Sequence, residues 1–284
     1  MIPKSVLITG CSDGGIGSHF ARAFQQVGYR VFAAVRDTTK AKQLESVENI
    51  QLITLDVTSP KSIASCVGEV EKELDGKLDI LVNNAGGAIF GPLAHASIPD
   101  SKALYDVNVW GALSVTQAFL PLLIRAKGVI VNISSMAGAV PLAWQGIYNS
   151  SKAALTFLSE TLKMELEPLG VRVVTAMVGA VNTQIYSNST LLLPEDSWYS
   201  PIESIIRDQA EGKLQEPNNE AVEITTGNIV RDVLRGCRGQ IWRGGEAGAA
   251  SVGSWLLPTR VREFLLHRNR GLSLLRRAYK KRGL

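Results

Sequence analysis

Val6-Leu7-Ile8-Thr9-Gly10-Cys11-Ser12-Asp13-Gly14-Gly15-Ile16-Gly17 is the stretch on which the architecture of this chain turns. A short apolar strand runs into a glycine-rich turn, and the turn opens an amphipathic segment over residues 17–27. Glycines at such a junction permit a tight bend, let the backbone approach a pyrophosphate and allow close packing of helix on strand. The helix start then offers free N–H groups and the positive end of its dipole to phosphate. A dinucleotide site is expected here, built on Gly10, Ser12, Gly15, Ile16 and Gly17, with Gly14 and Gly15 competing for one glycine position.

Outward from this turn, strand-like runs recur at residues 6–9, 30–35, 50–56, 78–83, 128–134, 172–178 and 240–243. Amphipathic segments separate them at 17–27, 61–74, 101–126, 147–167 and 226–235. Strands this apolar, joined by helix-length crossovers, imply a parallel sheet covered on both faces. The expected fold is a single-domain α/β Rossmann-type doubly wound sheet of about seven strands, with ligand at the carboxyl ends of the strands. Gly28, Pro60, Pro168 and Gly170 punctuate the helices. Residues 183–219 are partly apolar yet interrupted by Pro194, Pro201 and Pro217, which predicts a substrate-covering lid. The organisation expected is a catalytic domain over residues 1–245 and a C-terminal helical extension over 246–284.

The bulk composition narrows the function. The 284 residues are 45% apolar and 20% charged, with neither a repeat nor a low-complexity linker, which suits one soluble domain. Cys11, Cys66 and Cys237 form no CxxC pair, and His19, His95 and His267 do not cluster, so neither disulfide framework nor metal site is expected. His19 is expected to pack or cap, and Trp110 and Trp144 to fill the core or the pocket wall. The N-terminus enters a strand without a charged and then apolar leader, from which an intracellular, cytoplasmic protein is expected. The net charge of +4 divides unevenly: residues 258–284 carry nine basic side chains and one acid, leaving −4 for the remainder. A uniformly basic nucleic-acid-binding face is thereby excluded.

Asp56 ends the third strand and Asn83-Asn84-Ala85-Gly86 the fourth, positions that flank adenine and ribose in a doubly wound sheet. Asp56 is suited to accept from the adenine amino group, and Asn83 to tie its strand to neighbours; either can also be a turn-forming Asx residue. At the end of the second strand, Val35 stands where NAD binding would place an acid, and Arg36 follows. A guanidinium there can hold a 2′-phosphate, so NADPH is the expected cofactor, with Asp37 read as a helix cap or a partial NAD mimic.

Ser134-Ser135 close the fifth strand, and Tyr148 and Lys152 follow at helical i,i+4 spacing. A nearby ammonium favours a phenolate, which predicts a Tyr148 pKa drawn down toward working pH for general acid/base chemistry. The glycine turn, Asn83-Asn84-Ala85-Gly86, Ser135, Tyr148 and Lys152 together resemble the short-chain dehydrogenase/reductase family over about residues 5–185. That resemblance implies that Tyr148 exchanges the proton, Lys152 binds the nicotinamide ribose and Ser135 polarises the carbonyl. It further implies that Asn108 holds a relay water and that Val181 and Thr183 contact the nicotinamide side, with Ala85 and Gly86 lining the cofactor crevice. The glycine turn is one residue longer than the usual pattern, and Val178 replaces a usual proline.

Those departures are similar to the fungal 1-acyldihydroxyacetone-phosphate reductase subgroup, which implies reduction of an acylated ketone phosphate by NADPH. The readings carried beside it are a ketoreductase of polyketide or terpenoid biosynthesis, a steroid or secondary-alcohol dehydrogenase, and an NADPH-binding sensor or scaffold without turnover. The resemblance also implies a homodimer or homotetramer paired through the two long helices. In the tail, taken as a helix from Val261, the residues Val261, Phe264, Leu265, Leu272, Leu275 and Tyr279 fall on one stripe flanked by basic residues, with Arg268 interrupting it and Gly271 as its expected breaking point. Two expectations stand for it: a peripheral contact with an endoplasmic-reticulum or lipid-droplet membrane, or packing on the enzyme body or a second subunit.

Overall fold

In the computed structural model, which describes residues 3–187 and 189–281, seven parallel strands form one sheet. In chain order they are β1 (Ser5–Thr9), β2 (Arg30–Val35), β3 (Ile50–Thr54), β4 (Ile80–Asn83), β6 (Val129–Ser135), β7 (Arg172–Val178) and β9 (Gly239–Arg243). Two-residue strands β5 (Ile89–Phe90) and β8 (Thr190–Leu191) make a separate parallel pair. The spatial order β3-β2-β1-β4-β6-β7-β9 reverses direction between β1 and β4, which opens a crevice at their carboxyl ends. Met1, Ile2 and Arg282, parts of the N-terminal and basic-tail readings, lie outside the described residues.

The helices are α1 (Ile16–Gln26), α2 (Lys42–Glu45), α3 (Pro60–Glu73), α4 (Ile98–Tyr105), α5 (Ala112–Ala126) and α6 (Gly146–Leu166). Beyond them lie α7 (Glu203–Ala210), α8 (Val222–Leu234), α9 (Ala247–Leu256), α10 (Thr259–His267) and α11 (Leu272–Lys281). The strict alternation of a strand sends successive side chains to opposite faces. Val6 and Ile8 of β1 therefore join Phe20 and Phe24 of α1 and Ile229 and Val233 of α8 in one core. Leu7 joins Val70, Phe119, Leu123 and Leu166 in the other. Stacking an apolar layer on each face excludes water from every ladder bond, the reason these strands read as continuous hydrophobic runs.

Local detail refines the expectations and revises one of them. The helix expected over 101–126 runs unbroken from Ile98 to Ala126, with a π-turn at Asp106–Gly111 within it. Residues 183–219, expected as a lid, carry β8 and α7. Trp110, expected in the core or pocket wall, is 52% exposed, whereas Trp144 is buried.

Candidate active site

The glycine turn closes where the topology reverses. Gly10 adopts a left-handed φ of 74°, and a Cβ on it would lie 2.8 Å from the Cα of Ala85. A Cβ on Gly17 would lie 2.3 Å from the Gly10 carbonyl oxygen, so only glycine lets α1 approach β1 this closely. Gly14 also has a left-handed φ of 70°, and Gly15 is the N-cap of α1, with no side chain capping it. The first-turn amides of α1 thus keep their donors for a ligand. Ser12 is exposed and Ile16 half-buried at the rim of this turn.

Asn84, which sequence reasoning passed over, braces the turn: its Nδ2 donates to the Thr9 carbonyl at 2.8 Å and the Gly10 carbonyl at 3.0 Å. Asn83 faces the other way, into the sheet, donating from Nδ2 to Thr116 Oγ1 and Asn132 Oδ1, both at 2.8 Å. Of the expected cofactor residues, Asn83 is the one whose side chain is taken up by strand-tying. At the end of β2, Asp37 caps the following turn by accepting from Thr39 N at 3.0 Å and Thr39 Oγ1 at 2.7 Å. Its carboxylate is thereby engaged, and those bonds hold its pKa below the usual range. Arg36 beside it is exposed. Asp56 makes the same kind of turn with Thr58, at 2.9 Å to N and 2.7 Å to Oγ1, and its pKa is likewise held down, first by those bonds and with help from Arg36.

The residues expected to carry the chemistry gather beside the neighbouring strand ends. Ser135 ends β6, where its Oγ accepts from Ala137 N at 3.1 Å and donates to the Val178 carbonyl at 3.2 Å. Ser134 instead points at α6, with Oγ 3.1 Å from the Lys152 carbonyl and 2.6 Å from Thr156 Oγ1. Tyr148 is half-buried on α6, one turn before the buried Lys152, whose Nζ lies 5.9 Å from the centre of the Tyr148 ring. Lys152 Nζ donates to the Ile133 carbonyl at 2.9 Å. The π-turn directs Asn108 inward: its Nδ2 donates to Ser151 Oγ at 3.0 Å and the Gly87 carbonyl at 3.1 Å, while its Oδ1 accepts from Gly87 N at 2.8 Å. A Cβ on Gly86 would lie 3.1 Å from Asn108 Oδ1 and 3.4 Å from Lys152 Nζ, so these three positions meet.

The electrostatics correct one expectation. Burial raises the Tyr148 pKa, and the hydrogen bond with Ser135 only opposes that rise. The same burial pulls Lys152 down to about 8. Desolvation prevails over the attraction anticipated from i,i+4 spacing, with the ammonium set over the ring face and engaged with the Ile133 carbonyl. Cys11 is buried, donates to the Ile8 carbonyl at 3.2 Å and has its pKa pushed far up by burial, so it is no nucleophile.

The profile described as short chain dehydrogenase matches residues 4–191. A short-chain dehydrogenase of Talaromyces islandicus is 44% identical over 276 residues, covering 95% of this chain and 96% of its own. The chain belongs to the short-chain dehydrogenase family. It is 38% identical to an NADPH-dependent 1-acyldihydroxyacetone phosphate reductase of Schizosaccharomyces pombe, over 91% of each. Among solved structures, a short-chain dehydrogenase from Streptomyces avermitilis superposes with a TM-score of 0.76 at 26% identity, over 94% of this chain and 96% of that one. Membership makes the chain an oxidoreductase.

In this dehydrogenase, the segment after β7 folds back over the crevice. Val181 is buried, Thr183 half-buried, and Gln184 lies where a Cβ on Gly14 would strike it at 2.6 Å. Tyr148 packs with Ala88, Phe90, Ala210, Tyr186 and Leu191, so β5, β8 and α7 wall the space beyond its ring. The tail completes that wall. Trp144 Nε1 donates to the Arg270 carbonyl at 2.9 Å, Leu275 packs against the cluster of Trp144, Ile202 and Ile206, and Tyr279 donates its hydroxyl to the Trp198 carbonyl at 2.7 Å. The apolar stripe is split at Gly271, the breaking point expected from the sequence, where φ is 77°. Leu275 and Tyr279 of the α11 half turn inward, while Leu272 and, on α10, Phe264 stay exposed. His19 neither caps nor is fully packed; its Nδ1 lies 3.3 Å from Glu223 Oε1, joining α1 to α8.

Proposed function

We propose that this chain is an NADPH-dependent carbonyl reductase that converts a ketone to a secondary alcohol. The observation that carries the reading is the convergence of Ser135, Tyr148, Lys152 and Asn108 beside an uncapped, glycine-lined helix start. The cofactor is NADPH: Arg36 is exposed at the end of β2 for a 2′-phosphate, and the two acids near it are engaged, Asp37 by Thr39 and Asp56 by Thr58. When bound, NADPH supplies the hydride. Ser135 and Tyr148 hydroxyls donate to the carbonyl oxygen, drawing the π electrons onto it and exposing the carbon to attack. Tyr148 then gives its proton to the nascent alkoxide oxygen. The raised Tyr148 pKa keeps that proton in place until it is needed, and the Lys152 ammonium stabilises the phenolate left behind. Asn108 and Ser151 hold the backbone of Gly87 against this group, a frame through which Tyr148 is reprotonated.

The substrate is a lipid-like ketone, a reading supported by the apolar wall of Phe90, Tyr186 and Leu191 and by the name of the Schizosaccharomyces pombe relative. The exposed Phe157 and Met164 on α6, with Trp110 near α5, favour a homo-oligomer paired through these helices. Peripheral membrane contact of a cytoplasmic protein is assigned to α9 and α10, where Trp255, Leu256 and Phe264 are exposed beside Arg260, Arg262 and Arg268. NADPH oxidation across a panel of lipid-like and polycyclic ketones tests the central reading. Turnover of at least one, with NADPH preferred to NADH, is expected. Tight NADPH binding with no turnover anywhere would make the chain a sensor instead.

A further inference from the structure

Among the described residues, three charged side chains are buried: Lys152, Asp232 and Arg270. Lys152 belongs to the reacting centre, and Asp232 takes a two-pronged bond from Arg243, at 2.7 and 3.0 Å. Arg270 is different. It is 8% exposed, yet every acceptor it has is neutral: the Leu266 carbonyl at 3.1 Å from Nε, and the Ala143 carbonyl at 3.1 Å and Gln209 Oε1 at 2.7 Å from Nη1. No carboxylate among the described residues comes within 4.0 Å of it, and its Nη2 has no acceptor there. Glu246, an acid whose charge reaches it from farther off, is engaged by Asn218 Nδ2 at 2.9 Å. A buried charge is ordinarily paired, because leaving water without a counter-ion costs several kcal/mol.

The position of this cation matters as much as its solitude. Gln209 sits on α7 next to Ala210, which packs against Tyr148 and Tyr186. Ala143, its other partner, lies just before the helix that carries Tyr148. Gln209 Nε2 also donates to Gln145 Oε1 at 2.8 Å, and Gln145 Nε2 to Asn149 Oδ1 at 2.9 Å, so one buried polar chain runs from Arg270 to the neighbour of Tyr148. Gln215 joins it, donating to Gln209 Oε1 at 2.9 Å, while its own Oε1 is buried with no donor. Of these two unpartnered groups, Arg270 Nη2 is the donor that an anion satisfies, while Gln215 Oε1 is an acceptor that calls for a donor. Burial draws the guanidinium down to about 10 against the pull of Tyr186, a sign that its field extends toward the ring wall of the pocket.

We propose that Arg270, brought in by the C-terminal segment, is a specificity-determining residue that receives an oxyanion of the substrate, a phosphate or carboxylate carried at a distance from the reacting carbonyl. The inference deepens the reductase reading and rests on it for the position of the carbonyl. The open Nη2 edge donates to the anion, which supplies the missing counter-charge.

Three probes of matched chain length test it: a keto fatty acid, its methyl ester and a keto-alkyl monophosphate. Wild-type protein should favour a charged probe over the ester in kcat/KM by about tenfold or more, the worth of a charge-assisted hydrogen bond. The acid and the monophosphate separate the two oxyanion sources. Arg270→Gln should erase that preference and Arg270→Lys should restore part of it, with NADPH affinity reporting that each variant is folded. Calorimetry of the same probes on the NADP-loaded full chain gives an arm independent of turnover, with the charged probe binding more tightly than the ester. Equal handling of acid, phosphate and ester by wild-type protein overturns the proposal, as does a preference that survives Arg270→Gln. If no ketone is reduced, the reductase reading fails and the calorimetric arm still decides the anion site.

Discussion

The crevice between β1 and β4 and the wall built by α7, α10 and α11 are assembled by opposite means. In the crevice, apolar alternation along seven strands sets the scaffold, and Ser135, Tyr148 and Lys152 inherit their places from it. In the wall, the decisive contacts are polar and span long stretches of chain: Arg270 reaches Gln209 across 61 residues and Ala143 across 127. The first region is a rigid frame suited to moving a proton and a hydride. The second is a fitted surface, suited to choosing what enters. Under the proposed reading, chemistry and selection in this molecule rest on separable interactions.

Substitutions should expose that separation. Phe119→Ala empties a fully buried site in the sheet core and should cost about 3–5 kcal/mol of stability. Denaturant unfolding reads this, while the KM of the surviving native protein should stay the same; a shifted KM would mean that frame and wall are coupled. Arg36→Ala should lower the NADPH-to-NADH preference by about tenfold or more, as loss of charge-assisted phosphate bonds demands. An unchanged ratio removes Arg36 from cofactor choice. Leu275→Ala, on a partly buried side chain of the wall, should cost only about 1 kcal/mol. It should raise KM for the preferred ketone more than it lowers kcat, and the reverse pattern would assign the wall a role in chemistry. The smallest effect is in pH. Lys152, depressed to about 8, is charged below that value and neutral above it. The kcat/KM for reduction should therefore fall as pH rises through about 8, and Lys152→Met should lack that limb.

The contrast also sets what the sequence makes legible. Strand and helix boundaries in the frame follow from local periodicity and from Gly28, Pro60 and Gly170, so β2 and β7 are found where the apolar runs place them. Ser135, Tyr148 and Lys152 are readable because one helix and one strand end hold them at fixed spacing. Local pattern misleads where a tertiary contact prevails. The π-turn at Asp106–Gly111 is invisible to a 3.6-residue period, and Asn108 is reached only through it. The direction of the Tyr148 pKa is not readable from i,i+4 spacing, which reports proximity and not the desolvation that raises it. Arg270 is one arginine among nine basic tail residues, and only a fold that brings Ala143 and Gln209 around it sets it apart. Asn84 is hidden by Asn83 beside it, since strand alternation, rather than residue type, decides which of the two meets the glycine turn.

The claim at the centre is that the Tyr148 hydroxyl delivers the proton within an otherwise intact NADPH site. Tyr148→Phe removes that hydroxyl and leaves the ring in its cluster, so NADPH affinity and single-turnover hydride transfer to a reducible ketone should be measured together. NADPH affinity should stay within about twofold of wild type while the transfer rate drops by about 10²–10⁴, the range of general acid catalysis. Hydride transfer at a near-normal rate in that variant would contradict the account.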